Sequence, residues 1–322
     1  MEGMDIGERQ LASYIFDAEL SEGKMVFVSG PRQVGKTTFA RHLLGRHDES
    51  LTYYNWDNPL VRKAYRDDPF FFLDDVRKSN KRMIVFDEIH KRKGWKDVLK
   101  GIHDSIERDI RLLVTGSARL DMFRQSGDSL VGRYVLFHMF PLSMSEAMQR
   151  PLEDLWLAVG KDWKNPLRSL EERLAGTARG REREEIFSHL LHFGGFPEPF
   201  VKGSERTLRR WKDEYLTLLL KEDMRDLTGI KMLDTAEHII QLLPERVGSL
   251  LSINALAQDV GVSYPTAKNH LVQLKKLWLL FELLPWSRRI NRSLRKGAKW
   301  YFTNWIYAMG EGAVFENMVA SC

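Results

Sequence analysis

A single cysteine, Cys322, closes the 322-residue chain. One thiol cannot form an intrachain disulfide or supply the cysteine ligands of a zinc site, so neither device can staple this fold. Long apolar runs are also missing. The longest candidate, Leu277 to Leu284, is too short to cross a bilayer and is interrupted by Glu282. The first residues, Met1 to Gln10, are mostly polar and lead into no apolar stretch of the kind a secretory signal needs. These absences point to a cytosolic (cytoplasmic) protein without a membrane span. Neither sign of charge dominates: 49 Lys and Arg stand against 44 Asp and Glu, a formal +5 that permits a polyanionic partner without requiring one. Internal repeats and low-complexity segments are lacking too. What remains is ordinary globular material, 43 % hydrophobic and 29 % charged, long enough for two or three domains.

Short apolar runs recur in the first half. Met25 to Ser29, Leu51 to Trp56, Met83 to Phe86, Leu112 to Thr115 and Arg133 to Met139 read as five strands. Helical patterns separate most of them, which predicts crossover connections and a buried parallel sheet. An amphipathic helix is expected over Leu11 to Leu20, and another from Thr38 to Leu44, stopped at Gly45. Beyond Pro141 the strand signals stop, and Pro151 to Leu220 is charged, helix-rich and broken at Gly194-Gly195-Phe196-Pro197.

The first strand runs directly into Gly30-Pro31-Arg32-Gln33-Val34-Gly35-Lys36-Thr37, a complete G-x-x-x-x-G-K-[ST] pattern, with Thr38 following. A strand, a glycine-rich loop and a helix N-terminus in that order let backbone N–H groups converge on phosphates. Gly30 and Gly35 allow the tight turn, Lys36 brings a cation to the β- and γ-phosphates, and Thr37 offers a hydroxyl to Mg²⁺. ATP with Mg²⁺ is the expected ligand. The strand Met83-Ile84-Val85-Phe86 delivers Asp87 and Glu88 at its C-terminal end, where open α/β sheets bind their ligands. Asp87 would hold the metal, and Glu88 would take a proton from the attacking water or orient it. The next strand ends in Thr115-Gly116-Ser117-Ala118-Arg119. Thr115 and Ser117 are both placed to touch a γ-phosphate, although Ser117 could equally cap the next helix. Arg119, and Arg133 beside Gly132, are the two arginines open to a role in stabilising transition-state charge; each has an equally plain reading as a surface or salt-bridged residue.

The C-terminal third carries a different pattern. Ser252 to Val260 reads as a short helix ended at Gly261, and Ser263 caps a second helix running to Leu277. Two helices across a Gly-containing turn form a helix-turn-helix. Trp278 to Leu284 and Lys299 to Thr303 alternate as two strands, with Arg288, Arg289, Arg292, Arg295 and Lys296 between them, so the whole reads as a winged helix. Pro285 to Trp300 holds six basic residues and no acidic one, a hairpin suited to nucleic-acid phosphates. Tyr264, Thr266, Lys268, Asn269 and His270 on the second helix are candidate groove contacts, making double-stranded DNA an expected partner. Winged helices also serve as protein-interaction and oligomerisation modules, so a protein partner or a homo-oligomer is the alternative.

Taken together these pieces resemble a family of AAA+-related ATPases of bacteria and archaea that carry a winged-helix module after the ATPase. The matching segments are Gly30 to Thr38, Val85-Phe86-Asp87-Glu88-Ile89-His90, Val114 to Arg119, Leu130 to Tyr134, Phe140 to Ser143 and Gly194-Gly195-Phe196-Pro197-Glu198. The resemblance implies an α/β P-loop NTPase, a parallel sheet flanked by helices, over 1–150. It further implies a helical lid over 151–233 and a winged helix over 234–310. It also implies hydrolysis of ATP to ADP and phosphate. Gly195-Phe196-Pro197 is similar to the Gly-x-Pro element of related signal-transduction ATPases, which would put Pro197 near the adenine. Similar proteins usually continue past Phe315-Glu316-Asn317 into a nuclease-like domain. Residues 311–322 are accordingly expected to be the start of a truncated or absent extension, and no nuclease activity is carried over.

Overall fold

Met25–Ser29 forms the first strand, β1, and every one of its residues is buried. A strand can be apolar on both faces only when both are covered, and its side chains alternate between the two. Val26 and Val28 point into one apolar cluster with Val85 and Leu113, while Met25 and Phe27 point into another with Ile84, Phe86 and Val114. A computed structural model of the chain describes residues 9–15, 21–45, 52–78, 82–117, 120, 130–149, 180–225, 233–285 and 297–321. Arg119, Arg288, Arg289, Arg292 and Arg295 lie outside the described residues, as does most of the expected lid before residue 180.

After β1 come α1 (Lys36–Leu44), β2 (Tyr53–Asn55), α2 (Pro59–Asp67), α3 (Phe72–Lys78), β3 (Met83–Asp87), α4 (Trp95–Ser105), β4 (Arg111–Gly116), β5 (Tyr134–His138) and α5 (Met144–Ala147). The five strands make one parallel sheet in the order β2-β3-β4-β1-β5. Its C-terminal edge therefore brings together the ends of β1, β3 and β4. Asn58 caps α2 by accepting from the Leu60 N–H, with Pro59 at the first helical position, where its missing N–H costs nothing. At the start of the amphipathic helix expected over Leu11 to Leu20 the chain forms one 3-10 turn, Gln10–Ser13; residues 16–20 lie outside the described residues.

The second half is helical: α6 (Gly180–Phe193), α7 (Pro197–Lys202), α8 (Glu205–Leu218) running into a π-helical turn (Leu219–Met224), then α9 (Leu233–Leu242), α10 (Ile253–Val260) and α11 (Tyr264–Lys276). Strands β6 (Leu280–Leu283) and β7 (Lys299–Phe302) pair antiparallel, and α12 (Glu311–Ser321) ends the described chain. Ser252 and Ser263 cap α10 and α11 through their hydroxyls, and Gly261, at φ 75°, makes the left-handed turn between them. Buried Asn317 of α12 exchanges two hydrogen bonds with the Phe302 backbone at 2.7 and 2.9 Å, covering the free edge of β7. Among the described residues, no helix is long and apolar enough to cross a membrane.

One apolar cluster runs unbroken from the sheet face at Val28 through Met139, Leu190, Phe196 and Trp211 to Leu271 and Trp300. Buried polar contacts follow the same route. Trp305 Nε1 donates to the Leu190 and Leu191 carbonyls at 3.2 and 3.1 Å, and Lys212 Nζ donates to the Ile306 carbonyl at 2.8 Å.

Candidate nucleotide site

The loop after β1 is shaped by close approach. A Cβ on Gly30 would lie 2.2 Å from the Met139 carbonyl oxygen, so only glycine fits there. Gln33 at φ 58° and Gly35 at φ 99° turn the chain into the first turn of α1. Buried Lys36 lies along this loop, its Nζ donating to the Gly30 and Pro31 carbonyls at 3.0 and 2.5 Å. Burial pulls its pKa down to about 8 against the opposing pull of Glu88 and Asp87. Pro31 and Val34 are buried and contribute backbone rather than side chain. Arg32, Gln33, Gly35, Thr37 and Thr38 line a cleft of about 710 Å³ at the C-terminal edge of the sheet.

Three hydroxyls converge on the Asp87 carboxylate. Thr37 Oγ1 donates to Oδ2 at 2.8 Å, Tyr53 Oη donates to the same oxygen at 2.5 Å, and Thr115 Oγ1 donates to Oδ1 at 2.5 Å. Asp87 is thus fixed as an acceptor from α1, β2 and β4 at once. Glu88 follows in the left-handed region at φ 59°, a conformation that a side chain with a Cβ adopts only when its surroundings hold it. Burial, and then the charge of Asp87, push the Glu88 carboxyl above its ordinary range. A Mg²⁺ ion would find two hard oxygen donors here, the Thr37 hydroxyl and the Asp87 carboxylate. One or two protein oxygens beside phosphates is the donor set this ion takes, so the residues fit it. Among the described residues, no cluster of three or more His, Cys, Asp and Glu side chains gathers for any other metal.

Pro197 reaches the same cleft: its Cγ would lie 3.6 Å from a Cβ on Gly35. It gets there because Gly195 packs against Leu142, where a Cβ would meet the carbonyl oxygen at 2.8 Å, and because Phe196 is buried against Trp211 and Tyr215. Ser117 and His90 also line the cleft, with Glu198 and Asp223 on its far wall. Arg32 is held to that wall by Glu222 and Asp223, each at 2.8 Å.

Arg133 is elsewhere. Its guanidinium pairs with Asp104 at 2.9 Å, and its carbonyl accepts from Met25 N–H at the opposite end of β1. That is the far edge of the sheet, roughly 15 Å away at about 3.3 Å per strand residue. Arg133 therefore cannot reach this chain's own cleft, and an action within the same chain is excluded by the strand direction. On α11, Tyr264, Lys268 and Asn269 are exposed, whereas His270 is fully buried with Nδ1 bonded to the Thr266 carbonyl, which removes it from the groove-facing set.

Several residues of the site carried no local signal in the sequence. Tyr53 is one aromatic among several near β2. The Glu222–Asp223 wall stands almost two hundred residues from Arg32. Arg9 is a third: buried, it donates to the Val34 carbonyl of the phosphate loop at 3.2 Å and to Phe140 O at 2.5 Å, and pairs with Glu146 at 2.8 Å. Only the Ser143-to-Glu146 capping box was readable around it.

Residues 22–148 match the AAA domain family model. The matched segment spans the five-stranded sheet and the phosphate loop. Residues 184–305 match a second family, described as a domain of unknown function (DUF8612). An uncharacterised protein of Mycobacterium tuberculosis is 26 % identical over 295 residues, 91 % of this chain and 57 % of the relative. One from Methanocaldococcus jannaschii is 24 % identical over 310 residues, 92 % of this chain and 63 % of the relative. The chain thus spans less than two thirds of the length of these relatives. A solved Walker-type ATPase of Pyrococcus abyssi aligns over 98 % of this chain and 96 % of its own, with TM-score 0.49 and 15 % identity.

Proposed function

We propose that this chain binds ATP with Mg²⁺ and hydrolyses it to ADP and phosphate, and that the cycle switches a C-terminal winged helix that binds double-stranded DNA. The single observation that carries the hydrolytic reading is the meeting of Thr37, Asp87 and Glu88 at the mouth of the phosphate loop. In this reading the loop N–H groups and Lys36 hold the phosphates, and Thr37 and Asp87 hold the metal. Bound there, Mg²⁺ would neutralise charge building on the phosphate oxygens. Glu88, whose carboxyl burial makes more basic, takes the proton of the attacking water. Pro197 covers the base side of the cleft, and Arg32 with Glu222 and Asp223 joins the loop to the helical half, so phosphate binding and helix position are linked.

Support for the nucleic-acid half is the exposed Tyr264, Lys268 and Asn269 on the second of two helices joined across Gly261, followed in the sequence by a segment rich in arginine. Arg133, too far from its own cleft, would act on the nucleotide of a second copy, which makes a homo-oligomer part of the proposal.

Calorimetry and phosphate release test the core claim. Lys36→Ala is expected to weaken ATP binding at least a hundredfold with the melting temperature retained; unchanged affinity in the folded variant would refute a phosphate-cradling loop. Arg133→Ala should lower turnover more than affinity. Mixed with Glu88→Gln it should regain part of the activity, because each inactive copy supplies what the other lacks. Normal turnover in Arg133→Ala removes this arginine from the chemistry.

A further inference from the structure

The inference rests on the hydrolytic reading just given and concerns what aims its base. Strand β3 ends at Asp87, and the left-handed Glu88 folds the chain into a 3-10 turn over Ile89–Lys91. That turn carries the His90 side chain back beneath Glu88, where the ring is almost entirely buried while the Glu88 carboxylate is partly open to the cleft. His90 Nε2 lies 3.3 Å from Glu88 Oε2 and 3.4 Å from Ser117 Oγ. Ser117 comes from the end of β4, the neighbouring strand, and lines the same cleft. The ring is boxed in from that side as well: a Cβ on Gly116 would meet His90 Nδ1 at 2.7 Å.

We propose that His90 is the positioning residue of the site: its Nε2–H holds the Glu88 carboxylate toward the attacking water, and the Ser117 hydroxyl is thereby left to donate to a phosphate oxygen. One nitrogen carries one proton and can serve one acceptor. In the structure Nε2 is hydrogen-bonded to Ser117 Oγ with the Glu88 carboxylate standing beside it; a carboxylate is the stronger acceptor, so in the proposed role Glu88 draws the Nε2–H and Ser117 keeps its own hydrogen for the cleft. No proton is transferred to or from the ring in this role. His90 acts through Glu88, and its loss therefore falls on the chemical step rather than on binding. A base misplaced by about 1 Å costs on the order of a hundredfold in rate.

Lys91 and Asp57 also face the carboxylate, but they have a different geometry. Lys91 Nζ stands 3.8 Å from Glu88 and is already bonded to Asp57 at 2.6 Å. A half-exposed ammonium on a long stem attracts the carboxylate without fixing its direction.

The experiment compares the full chain with His90→Ala, His90→Gln, Glu88→Gln and the His90→Ala/Glu88→Gln double variant. ATP affinity is read by calorimetry and turnover by phosphate release, with melting temperatures for each. The glutamine amide places an N–H donor close to where Nε2 sits. The expected result is a loss of about thirtyfold or more in turnover for His90→Ala with ATP affinity kept within twofold, and recovery of most of the rate in His90→Gln. The double variant should be no slower than Glu88→Gln alone, because the two residues act as one unit. Losses that multiply in the double variant overturn the proposal. So does a fall in affinity as large as the fall in rate, or a His90→Gln variant that folds normally yet is as slow as alanine. If His90→Ala does not fold, Ser117→Ala and His90→Gln decide alone: wild-type rate in a Ser117→Ala variant, or alanine-like slowness in the folded glutamine variant, overturns it. A wild-type chain that binds ATP without turnover refutes the hydrolytic reading itself and this inference with it, whereas normal turnover with an unaffected His90→Ala refutes the inference only.

Discussion

Asp87 is the most heavily committed side chain of the cleft, and its partners come from three separate places in the chain. Thr37 and Thr115 belong to motifs visible in the sequence, but Tyr53 does not. The phenol lies under the Arg41 guanidinium at 4.8 Å, and its own O–H reaches the carboxylate oxygen that Thr37 shares. Burial and the charge of Asp87 push the Tyr53 hydroxyl well above its ordinary range, so it stays a donor at every working pH. If Mg²⁺ takes Thr37 as proposed, Tyr53 and Thr115 are left to keep the carboxylate aimed. Residues that orient a metal ligand through a hydrogen bond typically contribute about tenfold to a hundredfold in metal affinity. Tyr53→Phe is thus expected to raise the Mg²⁺ concentration needed for half-maximal binding of a fluorescent ADP analogue by about tenfold. The affinity measured in EDTA should not change. An unshifted Mg²⁺ midpoint would leave Tyr53 as packing under Arg41 only.

At the scale of elements, what could be read from sequence was whatever is encoded locally. The cores of β1, β3 and β4 at Met25 to Val28, Ile84 to Phe86 and Leu112 to Val114 are buried on both faces and read as unbroken apolar runs. Ser252, Gly261 and Ser263 announce α10 and α11 through caps and a turn that need no distant partner. Just before the apolar stripe of Leu11 to Leu20, Arg9 and Gln10 are anchored on Glu146, where the chain closes one 3-10 turn, Gln10–Ser13. Pattern cannot show such anchors, since they are made by residues more than a hundred positions apart. Trp278 is another. It follows α11 at φ 63°, and its ring meets His138 and Phe140 edge-on at 5.0 and 5.5 Å. Met139, between those two, is the residue whose carbonyl braces Gly30. The C-terminal strands are therefore seated on the segment that shapes the phosphate loop. Truncating a fully buried tryptophan costs roughly 3–5 kcal/mol. Trp278 is half-buried, and about 2 kcal/mol is expected for Trp278→Ala, or a melting temperature lower by about 4 °C. A scan showing no change would mean that this aromatic contact does not hold the module to the sheet.

At the scale of the molecule, the continuous core from Val28 to Trp300 means that the nucleotide cleft and the C-terminal strands rest on one packed body. In the proposed cycle, a change at the phosphates would reach α11 through this packing. The charge pattern decides what α11 and the adjoining strands would meet. Tyr264, Lys268 and Asn269 are exposed in the described helix, while Lys275 is tied to Glu282 and adds little free charge. The arginines at 288, 289, 292 and 295 stand in a sequence stretch, Pro285 to Trp300, that contains no acidic residue. If they lie on duplex phosphates, each releases condensed counterions, and the slope of log affinity against log salt steepens by about 0.9 per contact. Changing all four to alanine should then flatten that slope by about 3 to 4 and abolish non-specific duplex binding at physiological salt. ATP turnover should survive, because the phosphate loop, Asp87 and Glu88 are left unchanged. Fluorescence anisotropy with a labelled duplex, run across salt concentrations with and without ATP, reads both quantities. A slope unchanged by the four substitutions, with an altered oligomer size in light scattering, would place these cations against protein instead. The nucleotide cycle would then drive assembly of copies or partners rather than a grip on DNA.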